Sequence, residues 1–239
     1  MRNNSKRGLV FTAIGVLAFL SFIPVASASG VSGSFNESSC IGGGVTVTEY
    51  TINWSPAGTQ ANMGCFDTGI GSSFTYSGGT VGAGAPGNIA NLTYNVAVSG
   101  PFIDFPGYTG LDFVLAGFVT PTPTNGTNCA STTGGQSCVV FTGSPFLLLN
   151  SGGTAVTLSA YGTVVDNSVT SNWTGIFTTQ LSQAPGAIES TILAGGSVVS
   201  AQSAQFQVDV SDVPEPASMT LLGAGLIAIA MAARKRRKA

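Results

Sequence analysis

The chain has no histidine, and between residues 8 and 233 it has no lysine or arginine either. A Ser-His-Asp or Cys-His nucleophile cannot be built without His, nor a Ser-Lys pair without Lys. Zinc sites that use imidazole are excluded on the same ground. Phosphate and nucleic-acid backbones are gripped by Lys and Arg, so nucleic acid is not a partner of the central region. That region also lacks a convincing 3.6-residue hydrophobic period, so long amphipathic helices are not expected there. The chemistry left is what carboxylates, hydroxyls and backbone groups can do unaided, with no cofactor.

What is present begins with the two ends. Arg2, Lys6 and Arg7 give a positive start, Leu9 to Ile23 is almost wholly apolar, and Pro24 breaks the run. Ala26 and Ala28 then bracket Ser27 as the small residues a signal peptidase reads. Residues 1–28 are therefore expected to be a signal peptide, with the mature chain starting near Ser29. At the other end, Ala217 to Ala233 is uncharged and apolar, and Arg234, Lys235, Arg236, Arg237 and Lys238 follow it. A run of this length is at the lower limit for a transmembrane helix. A basic cluster behind it holds that end in the cytoplasm. The expected topology is a single-pass inner-membrane precursor: span 217–233, cytoplasmic tail 234–239, everything from 29 to the span exported.

A plain anchor does not ask for the residues just before it, Val213-Pro214-Glu215-Pro216. Two prolines fix φ and remove backbone donors, so this stretch stays extended and open to a processing enzyme. With the apolar run and the basic stop in fixed order, the block resembles the PEP-CTERM protein-sorting domain, found at the ends of many exported proteins of Gram-negative bacteria. The resemblance covers residues 213–239 only. It implies recognition by an exosortase, a membrane transpeptidase-like enzyme, with cleavage near Pro-Glu-Pro. It further implies release or transfer to the cell surface or exterior, in a setting of exopolysaccharide production.

Between the ends lie roughly 185 residues, enough for one sizeable core. All ten acidic residues of the chain fall between the basic ends, so the exported part carries negative charge only, thinly spread. Cys40, Cys65, Cys129 and Cys138 are an even number in an oxidising compartment, which predicts two disulfides. Three pairings are possible; nearest neighbours, Cys40–Cys65 and Cys129–Cys138, are the expected ones.

Period-2 alternation is clear at Asn91–Val98, Thr154–Val165 and Ala204–Val210. Further candidate strands are Val45–Trp54, Leu111–Thr120, Val139–Leu149, Trp173–Leu181 and Ala187–Leu193. Segments 77–88 and 120–137 are too poor in apolar residues for core and read as loops. Eight or nine strands between Gly, Pro and Asn turns predict an all-β ectodomain over 29–208, an antiparallel β-sandwich or jelly roll. A β-barrel or a short β-solenoid is the alternative. Residues 209–216 read as the linker to the membrane segment.

Candidate chemistry in the ectodomain is sparse. Trp54 and Trp173, with Tyr50, Tyr76, Tyr94, Tyr108 and Tyr161, offer surfaces for stacking on sugar rings, so a polysaccharide is a candidate partner. Core packing is the plainer role for the same residues. Asp104 and Asp112 flank an aromatic turn, and two carboxylates suffice for glycoside hydrolysis at the right separation. Solvated turn residues are the plainer reading there too. No calcium-loop spacing occurs, and no metal is expected. The sequence thus predicts an exported, non-enzymatic surface or matrix protein. A carbohydrate-binding module or adhesin comes second and a carboxylate-dependent glycosidase third.

Overall fold

The computed structural model describes residues 30–167 and 169–209. The expected signal peptide, the Pro-Glu-Pro motif, the 217–233 span and the basic tail lie outside them. Among the described residues no helix is long and apolar enough to cross a membrane.

Sixteen strands and one α-helix are described. The first half holds β1 (Ser32–Ser39), β2 (Gly44–Val47), β3 (Thr51–Ser55), β4 (Met63–Thr68), β5 (Ser73–Tyr76), β6 (Gly79–Gly82), β7 (Pro86–Ala90) and β8 (Leu92–Thr93). The second holds β9 (Ile103–Asp104), β10 (Leu111–Phe118), β11 (Ser137–Cys138), β12 (Phe146–Asn150), β13 (Thr154–Asp166) and β14 (Val169–Leu181). It closes with α1 (Pro185–Leu193), β15 (Val198–Ser200) and β16 (Ser203–Asp209). The strand order β10-β9-β7-β4-β1-β16-β14-β13 returns to β10 through a β10–β13 pairing. The result is a closed antiparallel barrel of eight strands. A separate four-stranded sheet, β15-β2-β3-β8, accompanies it.

The all-β expectation therefore holds, in the form of the barrel alternative and not of a two-layer sandwich. Alternation looks the same in both architectures; what decides is the pairing of Leu111–Phe118 with Ala160–Asp166, with a register shift between Leu115 and Gly117. A bulge of this kind bends a strand and helps a sheet to close.

An eight-stranded barrel has an interior just wide enough for side chains to fill. Here aromatic rings fill it. Phe35 stacks on Phe206 with centroids 4.5 Å apart and meets Phe113 edge-on at 5.7 Å. Phe35, Phe66, Phe113, Trp173 and Phe206 are all essentially inaccessible to solvent. Such a crowd of rings needs small partners opposite. A Cβ on Gly87 would run into the Phe66 ring, and one on Gly175 would run into Phe206. Segment 77–88 is therefore not the expected loop: it contains β6 and the start of β7, and at Gly87 the Phe66 ring leaves no room for a side chain. Each buried Phe contributes about 1.5–3 kcal/mol from apolar burial.

The long hairpin β13–β14 overruns the barrel. Ala160–Asp166 of β13 pairs with β10, while Thr154–Leu158 pairs with β12. Beyond the rim lies a smaller apolar cluster of Cys129, Cys138, Val140, Leu148, Ile188 and Ile192. Both disulfides join nearest neighbours, Cys40–Cys65 and Cys129–Cys138. By loop-closure entropy each contributes about 2–4 kcal/mol.

Several strand expectations are corrected. Ala187–Leu193 belongs to α1, which starts with Pro185 at its first turn and buries Ile188 and Ile192, four apart on one face. Val45–Trp54 is a hairpin, because Thr48 Oγ1 accepts from the Tyr50 and Thr51 N–H groups and turns the chain. Asn91–Val98 is strand only at Leu92–Thr93, with Tyr94 and Val96 exposed. Val139–Leu149 is interrupted by a turn closed by the Ser144 N–H on the Phe141 carbonyl.

Candidate ligand cavity

Along one row that runs from the barrel strands onto β12, register places Glu37, Ala204, Phe177, Leu158 and Phe146 side by side. Phe177, Leu158 and Phe146 from this row line a cavity of about 670 Å³. The small sheet supplies another part of its wall through Val45, Ile52 and Trp54, and α1 adds Ile188 and Ile192. Pockets of about 300–1,000 Å³ with mostly apolar walls are the usual size for small-molecule sites. Four exposed apolar or aromatic side chains, Tyr50, Tyr94, Val96 and Val119, belong to its lining.

Two polar features lie in or behind the apolar wall. Trp54 is almost completely buried between Phe102 and Phe177, with ring centroids 6.3 and 6.0 Å away. Its backbone N–H donates to Asn91 Oδ1 at 2.8 Å, but its indole N–H has no partner. A buried donor left without a bond costs about 1–3 kcal/mol.

The second feature is Gln202, a lining residue whose Nε2 donates to Glu37 Oε1 at 2.7 Å. Glu37 is buried and its Oε2 has no partner. Burial without a cation to offset it pushes the Glu37 carboxyl up to about 8. At neutral pH the group is therefore mostly a neutral acid. At the lining residue Glu49 the carboxylate accepts a hydrogen bond from Tyr50 and, by that bond first and its charge second, raises the pKa of the phenol.

The proposed stacking residues are placed differently from one another. Trp173 is sealed in the barrel, its indole N–H donating to the Val114 and Thr163 carbonyls at 3.1 Å each. It cannot stack on a sugar, and Trp54 faces a cavity wall rather than open surface. Of the tyrosines, Tyr50 and Tyr94 come together at the cavity, the Tyr94 N–H donating to the Tyr50 carbonyl. Tyr76 and Tyr108 form an edge-on pair elsewhere.

Asp104 and Asp112 are direct cross-strand partners on β9 and β10. Ile103 and Phe113 point into the barrel, so the two carboxylates point outward from the same wall, side by side rather than across a cleft. Asp104 Oδ2 is engaged by Gln60 Nε2 at 2.6 Å and Asn88 Nδ2 at 3.1 Å. Glycosidase chemistry places the sugar between its two carboxyls. Asp104 and Asp112 border one open surface depression of about 360 Å³, whose lining includes Thr59, Phe105 and Tyr108. Among the described residues no group of three or more Cys, Asp or Glu side chains is placed to hold a metal ion.

Glu37 escaped the sequence reading although a signal for it existed. It stands two residues after Phe35 in the same strand, and period 2 therefore sends both side chains inward.

One comparison with known proteins concerns the tail. Residues 212–237 match the PEP-CTERM protein-sorting motif. The chain thus carries the sorting signal of an exported, exosortase-processed protein of the cell surface or exterior. No curated protein and no solved structure matches the chain.

Proposed function

We propose that the protein is a non-enzymatic surface or extracellular-matrix component, delivered through the general secretory route and finished at its C-terminal signal. The sorting motif at 212–237 is the observation that carries this reading. Signal peptidase removes residues 1–28 after Ala28. The 217–233 segment holds the precursor in the inner membrane with Arg234 to Lys238 in the cytoplasm, and the exosortase acts near Val213 to Pro216. The barrel supports the non-enzymatic part: it has no basic group to hold phosphate or assist a nucleophile, and its neighbouring carboxylates Asp104 and Asp112 share one wall. An interaction role beside exopolysaccharide fits a domain with few charges of one sign, which neither binds polyanions nor repels neutral glycans strongly.

Mass spectrometry of the protein from hosts with and without the exosortase tests this. With the enzyme, the surface or medium should hold a chain that starts near Ser29 and ends near Pro216. Without it, the species should keep Arg234 to Lys238 and fractionate with the inner membrane. An uncleaved C-terminus in the enzyme-containing host would overturn the reading.

A further inference from the structure

We propose that the cavity between the barrel row and the small sheet is a binding site for an uncharged molecule with a hydrocarbon body. A ketone, ester or ether attached to a hydrocarbon body has this chemistry. The site stands independently of how the chain is sorted.

Three observations define the ligand. The volume of about 670 Å³ and the walls built from Val45, Ile52, Leu158 and Phe177 call for a hydrocarbon body. Trp54 adds an aromatic surface to the wall, while its indole N–H is sealed from the cavity and offers a ligand no bond. Charge then excludes the commonest rival, an anionic fatty acid. No Lys, Arg or His exists between residues 8 and 233, and the ionised group in the lining is a carboxylate, Glu49. Moving a carboxylate into such a site leaves it without a counter-charge.

The approach to the site is of the same character. Tyr50, Tyr94, Val96 and Val119 are all more than half exposed and all line the cavity. Exposed apolar side chains grouped at one opening mark an entry for apolar molecules, where scattered ones mean nothing.

The test uses the naturally processed protein and Nile red, an uncharged apolar dye with a carbonyl, whose emission rises on leaving water. Saturable uptake at a single site is expected. Methyl octyl ketone should displace the dye at concentrations at least about tenfold below those needed for decanoate of equal chain length. Val156→Trp, which fills the cavity from β13, should abolish uptake while far-UV circular dichroism stays unchanged. No saturable uptake by the unaltered protein, equal displacement by decanoate, or undiminished uptake in a folded Val156→Trp would each overturn the proposal.

Discussion

Trp173 and Trp54 lie on two sides of Phe102, with ring centroids 5.9 and 6.3 Å from it, yet they are treated oppositely. Trp173 has both its surroundings and its N–H satisfied, inside a barrel packed with phenylalanine. Trp54 has the packing without the hydrogen bond, and a cavity beside it. The buried carboxylates repeat the contrast. Asp166 accepts from the N–H and hydroxyl of Ser77, both at 2.5 Å, and pins the β5–β6 turn to the end of β13. Glu37 has one oxygen bonded to Gln202 and the other left bare. Native proteins satisfy nearly all buried polar groups, and the exceptions ask for a reason. Around Trp173 the indole and the Asp166 carboxylate are paired, although the buried Ser171 Oγ two residues away has no partner either. The row leading to the cavity leaves Glu37 Oε2 bare and has the void beside it.

The largest expected effect sits in the packed barrel. Phe206→Ala should destabilise the domain by about 3–5 kcal/mol, read from denaturant midpoints, because the ring stacks on Phe35 and closes over Gly175. A comparable loss at Val199, on the exposed face of β15, would erase the distinction; Val199→Ala should stay within about 0.5 kcal/mol.

Next comes Glu37. Burial holds the folded carboxyl at about 8, above the ordinary value of 4.5, so the folded protein keeps a proton that the unfolded chain has released. Stability from this group is full below about 4.5, falls as pH rises, and is gone above about 8. The fall between pH 5 and 8 should be roughly 3 kcal/mol, and Glu37→Gln should flatten it. A stability profile for Glu37→Gln that kept the wild-type slope would show that the carboxyl is not the source.

The smallest effect is the sharpest comparison. Trp173→Phe leaves the Val114 and Thr163 carbonyls without their shared donor, whereas Trp54→Phe breaks no hydrogen bond. Trp173→Phe should therefore be the more destabilising by about 1–2 kcal/mol in matched urea titrations. Equal costs would mean that the two indole groups are equivalent.

The alternation of Phe206 and Val208 against Gln205 and Gln207, nearly all of β13 and the Trp173–Leu181 part of β14 were legible because strand period and burial coincide there; the start of β14 at Val169 was not. The nearest-neighbour disulfides were legible from export and spacing together. Closure was not: it depends on Leu111–Phe118 meeting Ala160–Asp166, a pairing that no local pattern encodes. The α1 segment was misread because Ala187 to Leu193 carries the β-branched residues Ile188, Thr191 and Ile192, which favour strand. Pro185 and the Ile188–Ile192 spacing were the cues that favour a helix. The cavity was the least legible, since its walls come from segments as far apart as Val45 and Gln202. Trp54, Tyr50 and Tyr94 hinted at it among the aromatic candidates, but nothing in the sequence separated them from Trp173, which is sealed in the barrel.

Because these are the two tryptophans of the chain, their emission separates the two regions directly. In Trp173→Phe protein only Trp54 emits; in Trp54→Phe protein only Trp173 does. Titrating each with methyl octyl ketone, whose carbonyl quenches indole emission on contact, should quench Trp54 saturably and leave Trp173 unchanged. Quenching of Trp173 to the same degree, or a silent Trp54, would contradict the account of one sealed and one receptive region.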